Sequence, residues 1–577
     1  MNVVKAVRDY VEKMVKDVPG MKAVILDRFT TQYLSLVYSQ SEILQKEVYV
    51  IDKLENAGRA AMQHLKAVIY VRPSEESVSQ LVAELRAPKY GQYYIYFSNQ
   101  VKKSQLEQLA EADEHEVVKE VLELYADFLA VNPGLFSLGI TGCMLSGARD
   151  TWEERAMGRA VEGLSAALLS LRRRPVIRYA KMSNLAKGLA TELTLRMQSD
   201  AALWQFGRNQ DVPPLLMILD RRDDPVTPLL NQWTYQSMVH ELLGIYNNRV
   251  DLSNIPDTSS GRRQEKDELK EVSQNLVLLT EEFQKHTQEN KKIESIEDMK
   301  AFIERYPKFK QMSGNVVKHV TVFGEIVRRI NLNDLYSSSE IEQNLACQNV
   351  EHAQALEDVR SVIDNNKATD LDRLRVALLY ALRFERNSSA SIPALVDLLN
   401  RRGVHPDLVA ILSVITRYAG ADVRASDVFG NKSIISFTKK ALKGLKGVDN
   451  IFTQHEPYLV EVLDSLMKNK LKDQQFPWAT PSMRERPQDI ILFVVGGVTY
   501  EEAVAVDKFS RATPGNPRIL LGGTNIHNTF SFLEEVEKSM YGPRNSIFVE
   551  RKLRGAAPPK TEVIKYKSTD NQSSQLT

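Results

Sequence analysis

Strand-type segments stop near residue 248 and return only after Pro481, and this interruption constrains the fold of the chain more than any other feature. Before it, short apolar runs at Lys22–Leu26, 48–51, 67–71 and 93–97 alternate with helical patterns. Strands separated by helical segments of roughly 10–15 residues argue for βαβ units and a parallel sheet. Residues 1–20 read as a helix with Val4, Val7, Val11, Met14 and Val15 on one stripe, stopped by Pro19 and Gly20. Ser74 caps a helix carrying Val78, Leu81, Val82 and Leu85, with Ser77 at the third position. This doubly wound unit ends near Asn132 and Pro133. Residues 134–200 lead through a loop, GITGCMLSGARD, into an Arg-rich helical stretch around 164–178, and a buried strand follows at 215–219. Inside the interruption, 371–384 (LDRLRVALLYALRF) reads as an amphipathic helix. Residues 258–300 suit a long polar helix with Leu276, Val277, Leu279 and Phe283 along it. Strands resume at Asp489–Val495 and 518–521, each followed by Gly-Gly. The simplest account is an all-helical insertion within a discontinuous α/β domain, so that 475–577 rejoins the sheet begun at 215. The tail KSTDNQSSQLT is expected to be disordered.

The chain has 577 residues, enough for about three domains. Its 75 basic and 74 acidic residues leave a net charge of +1, which provides no global field for nucleic acid or an anionic membrane. Two cysteines, Cys143 and Cys347, exclude a disulfide framework and suit a reducing cytosol. The longest apolar run, 490–495, falls far short of the roughly 20 residues a spanning helix needs. The N-terminus lacks the apolar core of a signal peptide. A soluble protein is expected, meeting membranes through a partner.

The central stretch 215–230, LLMILDRRDDPVTPLL, puts five charges directly after a buried strand. Thr227 reads as an N-cap with Pro228 at the first helical position, for a helix running to about Leu243. Carboxyl ends of strands are where open α/β sheets bind ligands, so Asp220, Arg221, Arg222, Asp223 and Asp224 are candidates for a site. A phospho-aspartate mechanism needs two close carboxylates, and here two arginines separate Asp220 from Asp223. A paired, hydrogen-bonded corner is the preferred reading. The Gly-Gly turns lack a phosphate-binding lysine and any dinucleotide fingerprint, and Thr499 with Glu502 forms a capping box that accounts for the first of them. Nine scattered histidines show no ligand spacing with cysteine or each other, and Ser146 has no nucleophile elbow. Arg172, Arg173, Arg174 and Arg178 lack interleaved aromatics for base stacking. One constellation points to binding. Leu106, Leu109 and Ala110 share a helix face, and Val118, Val121, Leu122 and Tyr125 lie along what reads as the next helix. Together they could form a peptide groove, or both faces could simply cover the sheet.

Several blocks resemble the SM family of membrane-fusion regulators, the Sec-one and Munc-eighteen proteins. ILDRRDDPVTPLLNQWTYQSMVHELLGI is similar to its central block, and FVVGGVTYEEA and LLGGTNIHNTFSFLEEV to its two C-terminal blocks. LDRLRVALLYALRF is similar to its helical-domain block. VYSQSEILQKEVY, ELRAPKYGQYYIYFSN and LAEADEHEVVKEV resemble the branch serving the trans-Golgi and early endosomes. The resemblance implies an α/β plus all-α fold arranged as a three-domain arch. Domain one would be 1–132, domain two 133–247 joined to 475–577, and domain three 248–474 with an extended hairpin near 300–330. It implies a binding protein and not an enzyme, a monomer without cofactor or metal. Its partners would be a syntaxin-like Qa-SNARE of endosomal or trans-Golgi type and the assembled SNARE complex, whose formation it promotes. Rab effectors or tethers are further candidate partners. The expected location is cytoplasmic, peripheral on Golgi, trans-Golgi network, endosomal and vacuolar membranes through SNAREs.

Site residues carry over in the same way. The family's pocket for the syntaxin N-terminal peptide falls on Leu106, Leu109, Ala110, Val118 and Val121, with Leu122 and Tyr125 beside them. Its hinge proline falls on Pro307, where a missing backbone donor favours a bent over a straight hairpin. Trp233 is expected to pack between domains. Two other classes remain open. One is a phosphatase or nucleotide-binding enzyme using the turn 220–224 or the Gly-Gly corners. The other is a trafficking scaffold that does not act on SNARE assembly.

Overall fold

The computed structural model describes residues 1–252, 268–269, 318–429 and 451–542, together with Arg544, Ile547 and Phe548, apart from Arg149, 207–211, 348–349, Ser388, Ala390 and Arg484. The long helix expected at 258–300, Pro307 and the tail KSTDNQSSQLT lie outside the described residues.

The first sheet is parallel throughout, in the order β2-β1-β3-β4-β5. Its strands are β1 (Lys22–Leu26), β2 (Val48–Lys53), β3 (Met62–Val71), β4 (Tyr90–Phe97) and β5 (Val118–Glu123). Helices α1 (Val3–Lys16), α2 (Arg28–Val37) and α3 (Gln40–Leu44) precede β2, while α4 (Glu75–Arg86) and α5 (Lys103–Ala112) precede β4 and β5. The cap at Ser74 is as the sequence suggests, its hydroxyl accepting from the Ser77 N–H at 3.1 Å. Helix α1 buries Val3, Val7, Val11, Met14 and Val15. One face of the sheet packs Ile25, Ile69 and Ile95 against Leu81 of α4 and Leu109 of α5. The other face packs Val24, Val68 and Tyr96 into a core shared with α1 and the second sheet.

The second sheet runs β6-β7-β13-β12-β9-β8. Its early strands are β6 (Leu129–Asn132), β7 (Leu135–Ser137), β8 (Val176–Tyr179) and β9 (Leu215–Asp220). A small antiparallel ribbon, β10 (Val250–Asp251) with β11 (Glu268–Leu269), stands apart. The last two strands are β12 (Asp489–Val495) and β13 (Arg518–Gly523). β12 lies between β9 and β13 and pairs in parallel with both, Ile490 opposite Leu215 and Ile519. The strands on either side of the interruption therefore close into one sheet, and β9 and β12 are buried along their whole length, as central parallel strands should be. Helices α6 (Glu154–Ser170) and α7 (Asn184–Ser199) cover it early in the chain, and α8 (Tyr235–Leu242) follows the central turn. Between β11 and β12 every described element is helical. Within this region Asp370–Arg383 is the centre and not an amphipathic cover, since Leu374 to Leu382 are all buried. All these elements belong to one unit, Met1–Gly542.

Four local expectations are corrected. β5 is a strand where a helix was expected. The Arg-rich helix ends at Ser170, and Arg178 sits in the short strand β8. β6 pairs with β7 in the second sheet, so that sheet begins before the expected boundary at Asn132 and Pro133. Thr227 does not cap a helix reaching Leu243. It opens a single 3-10 turn, Thr227–Leu229, and α8 starts only at Tyr235. The reason is Asp224, whose carboxylate takes the Val226 and Thr227 N–H groups at 3.2 and 3.0 Å and closes a local turn first.

The Gly-Gly corners are steric. Gly497 has φ +93°, and a Cβ there would stand 2.4 Å from the His527 ring. A Cβ on Gly522 would lie 2.2 Å from the Phe136 ring.

Candidate functional site

The residues expected to form a peptide pocket divide between the two faces of the first sheet. β5 carries a bulge, pairing Val118 with Tyr93 but Glu120 with Tyr94 and Val121 with Ile95. The extra residue, Lys119, brings Val118 and Val121 to the same face although they are three apart. That face is the one α5 covers, and Val118 packs there beside Tyr93, Ile95 and Leu109. Val121 and Leu106 are each left 38 % exposed, and Ala110 is exposed one turn beyond Leu106. Leu122 and Tyr125 go to the opposite face, into the core that contains α1. The Tyr125 hydroxyl donates to Glu123 at 2.7 Å. An apolar patch at the sheet edge thus comprises Leu106, Leu109, Val118 and Val121, without Leu122 or Tyr125.

The central turn is a buried ionic junction. Arg221 is 2 % exposed and donates through Nη1 to both oxygens of Glu502 at 2.8 Å, while its Nε donates to the Asp224 carbonyl at 2.9 Å. Arg222 is as central. It pairs with Asp220 and with Asp150, and Ser183 also donates to Asp220. Burial disfavours charge on Asp220, but Arg222, the Ser183 hydroxyl and the Arg222 N–H outweigh it and hold that carboxyl below its ordinary value. Asp224 is likewise held low against burial by Arg221, His455 and Thr227. Asp223 has weaker support. Its carboxylate accepts the Ala425 N–H at 2.9 Å, and burial, with the Asp220 charge, pushes it up to about 7. Asp224 also accepts the Tyr458 N–H at 3.1 Å, and Thr227 Oγ1 lies 3.0 Å from His455 Nε2. Each carboxylate is buried and engaged by an arginine or a backbone N–H, which suits a structural corner and leaves none presented as a nucleophile. Among the described residues no group of His, Cys, Asp and Glu is arranged to hold a metal.

Trp233 stands where the central turn meets the helical segment. Its ring stacks on Tyr336 at 5.1 Å and meets Phe452 at 5.0 Å, and its Nε1 donates to Ser339 Oγ at 3.2 Å. A second ionic junction nearby was missed from the sequence. Arg375, 1 % exposed, contacts Glu241, Asp372 and Glu342, while Asn231 donates twice to Glu342 at 2.8 and 2.9 Å. Burial pushes the Glu342 carboxyl up to about 7. Only the charges within the apolar block around 375 could have signalled it, because its partners lie far away in sequence.

Residues 318–332 are helical and carry two apolar faces. Val322, Ile326 and Ile330 pack on Met238 and Val239. Val320, Phe323 and Val327 remain 56, 49 and 39 % exposed at i, i+3 and i+7. Elsewhere a cleft of about 790 Å³ opens between α2 and α6, lined in part by Arg28, Phe29, Arg72, Leu138, Arg155 and Arg159.

Two α/β sheets, the second completed across a helical insertion and tied to it by buried ionic corners, with apolar residues exposed at their edges, define a binding scaffold. The chain belongs to the Sec1 family, whose model matches residues 22–535. It is 51 % identical to rat vacuolar protein sorting-associated protein 45 over 553 residues, covering 93 % of this chain and 96 % of the relative. Among solved structures it is similar to the SM protein Vps45 in complex with the Qa SNARE Tlg2, with TM-score 0.83 and 42 % identity over 94 % of this chain and 99 % of that one. The fold alone is shared with Sly1p in complex with an N-terminal peptide of Sed5p, with TM-score 0.70 and 19 % identity over 93 % and 98 %. No helix among the described residues is long and apolar enough to cross a membrane.

Proposed function

We propose that this chain is a SNARE-binding regulator of vesicle fusion in trans-Golgi and endosomal transport, acting by binding and not by catalysis. The observation that carries the reading is its kinship, over nearly the full length of both chains, with Vps45, which has been solved in complex with a Qa SNARE. Three domains share the work, the first ending before β6, the second running from β6 to about 247 and resuming at 475–577, and the third at 248–474. The N-terminal peptide of a syntaxin-like Qa-SNARE docks at the edge patch of Leu106, Leu109, Val118 and Val121, with Ala110 on its flank. That tether raises the effective concentration of the SNARE helices beside the protein. The stripe of Val320, Phe323 and Val327 supports a helix-docking surface, because i, i+3 and i+7 anchors suit an amphipathic helix. Membrane association is peripheral, on Golgi and endosomal membranes, through the SNARE.

The test is the rate of SNARE-complex assembly between fluorescently labelled endosomal SNAREs on liposomes. Adding the protein should raise the rate several-fold, and Phe323→Asp should remove most of the gain. An unchanged rate with intact Qa-SNARE binding would support the scaffold reading instead.

A further inference from the structure

A cavity of about 440 Å³ lies at the carboxyl ends of β7, β8 and β9, roofed by the helical segment and by the end of the helix Thr529–Tyr541. Crevices at this end of an open α/β sheet are where ligands bind, and roughly 300–1,000 Å³ is the size of ligand pockets. The site is far in sequence and topology from the α5–β5 patch and independent of it. Its apolar wall is unusual in composition. Met144, Met182 and Met540 line it with Val423, and Met182 is 60 % exposed. Leu145 and Tyr541, next in the chain to two of these, are 47 and 38 % exposed. Methionine walls adapt to varied apolar side chains, and large hydrophobics left exposed around a pocket mark a docking surface.

Its charged lining, Arg222 and Arg417 with Asp150 and Asp422, is equal in sign count but unevenly paired. Arg222 is matched by Asp220 and Asp150, and Asp150 also accepts the Asn184 N–H at 2.7 Å. Asp422 faces Arg386 at 3.9 Å. Arg417 is exposed, lines the cavity and has no ion pair among the described residues. The Oγ of Ser539, in the same lining, is buried without a hydrogen-bond partner. We propose that this cavity binds a short segment of a partner protein, seating a bulky apolar side chain among Met144, Met182 and Met540 with an adjacent carboxylate on Arg417.

A phage-displayed library of random twelve-residue peptides, selected against the full chain, tests this. The double variant Met182→Glu, Arg417→Glu serves for counter-selection. Both positions are exposed, so the variants should melt with the parent, which is checked first. Surviving peptides should carry Asp or Glu within two positions of Leu, Met or Phe. By fluorescence polarisation they should bind either single variant at least tenfold more weakly and Val121→Arg as tightly as the parent. Survivors that bind the single variants unchanged, or that lack an acidic residue, overturn the proposal, as does the absence of survivors. Thermal stabilisation by inorganic phosphate or pyrophosphate, lost in Arg417→Glu and without any selected peptide, would assign the cavity to a free anion and also overturn it.

Discussion

Arg221 shows how much a single buried guanidinium can hold. Replacing it with Ala strands Glu502 and Asp224 without their cation at under 5 % exposure. Breaking a buried pair in this way costs about 3–5 kcal/mol, to be read as a lower urea midpoint. Asp223→Ala should cost less, about 1–3 kcal/mol, because it orphans the Ala425 N–H. It should lower the melting temperature before it changes affinity for a SNARE peptide. The reverse order would restore the turn as a binding site. Asp223 also predicts a pH dependence. Its carboxyl is pushed up to about 7 when folded, against roughly 3.9 in the unfolded chain. Between about pH 4 and 7 the folded state holds a proton that the unfolded chain has released, so this residue's contribution to stability falls as pH rises. The slope is at most about 1.4 kcal/mol per pH unit. Asp223→Asn keeps an acceptor for Ala425 and removes the titration. Its melting temperature should match the parent only at or below about pH 4 and exceed it increasingly up to about pH 7, above which the gap stays constant.

At the scale of elements, β5 separates two neighbouring residues by function. Val121→Arg should leave the melting temperature nearly unchanged, because Val121 is exposed. Leu122→Arg should destabilise by about 1–3 kcal/mol, because Leu122 packs against the α1 core on the other face. Differential scanning calorimetry distinguishes them, and equal destabilisation would contradict the placing of Val121 and Leu122 on opposite faces. The same bulge explains why β5 was illegible in the sequence. Val118, Val121 and Leu122 repeat at i, i+3 and i+4, the mark of a helix, and an inserted residue in a strand imitates it. The strands β6, β7 and β8 were missed because three or four residues carry too little pattern. Where the pattern was long the sequence was sufficient. The stripe of α1 (with Val3 buried where Val4 was expected), the caps at Ser74 and Thr499, and the return of the chain to the second sheet could all be read from it. Partners such as Glu502 for Arg221 could not, since only the sheet pairing of β9 with β12 brings them together.

For the whole molecule, the two ionic junctions tie the central turn to both the helical segment and the C-terminal strands. Arg375 contacts Glu241 from α8, Glu342 and Asp372 from the helical segment, and Thr529 Oγ1 at 3.2 Å. Arg375→Met should therefore destabilise the entire unit by more than about 3 kcal/mol. Adding Glu241→Gln should recover part of that loss, as a double-mutant cycle would show. These junctions hold the scaffold, and the exposed apolar edges are the surfaces proposed to bind. The most direct test is isothermal titration of the full chain with the cytosolic region of an endosomal Qa-SNARE. Tight binding is predicted, weakened at least tenfold by deleting the SNARE's N-terminal peptide and to the same extent by Val121→Arg in the protein. Absence of binding, or affinity indifferent to both changes, would contradict the account.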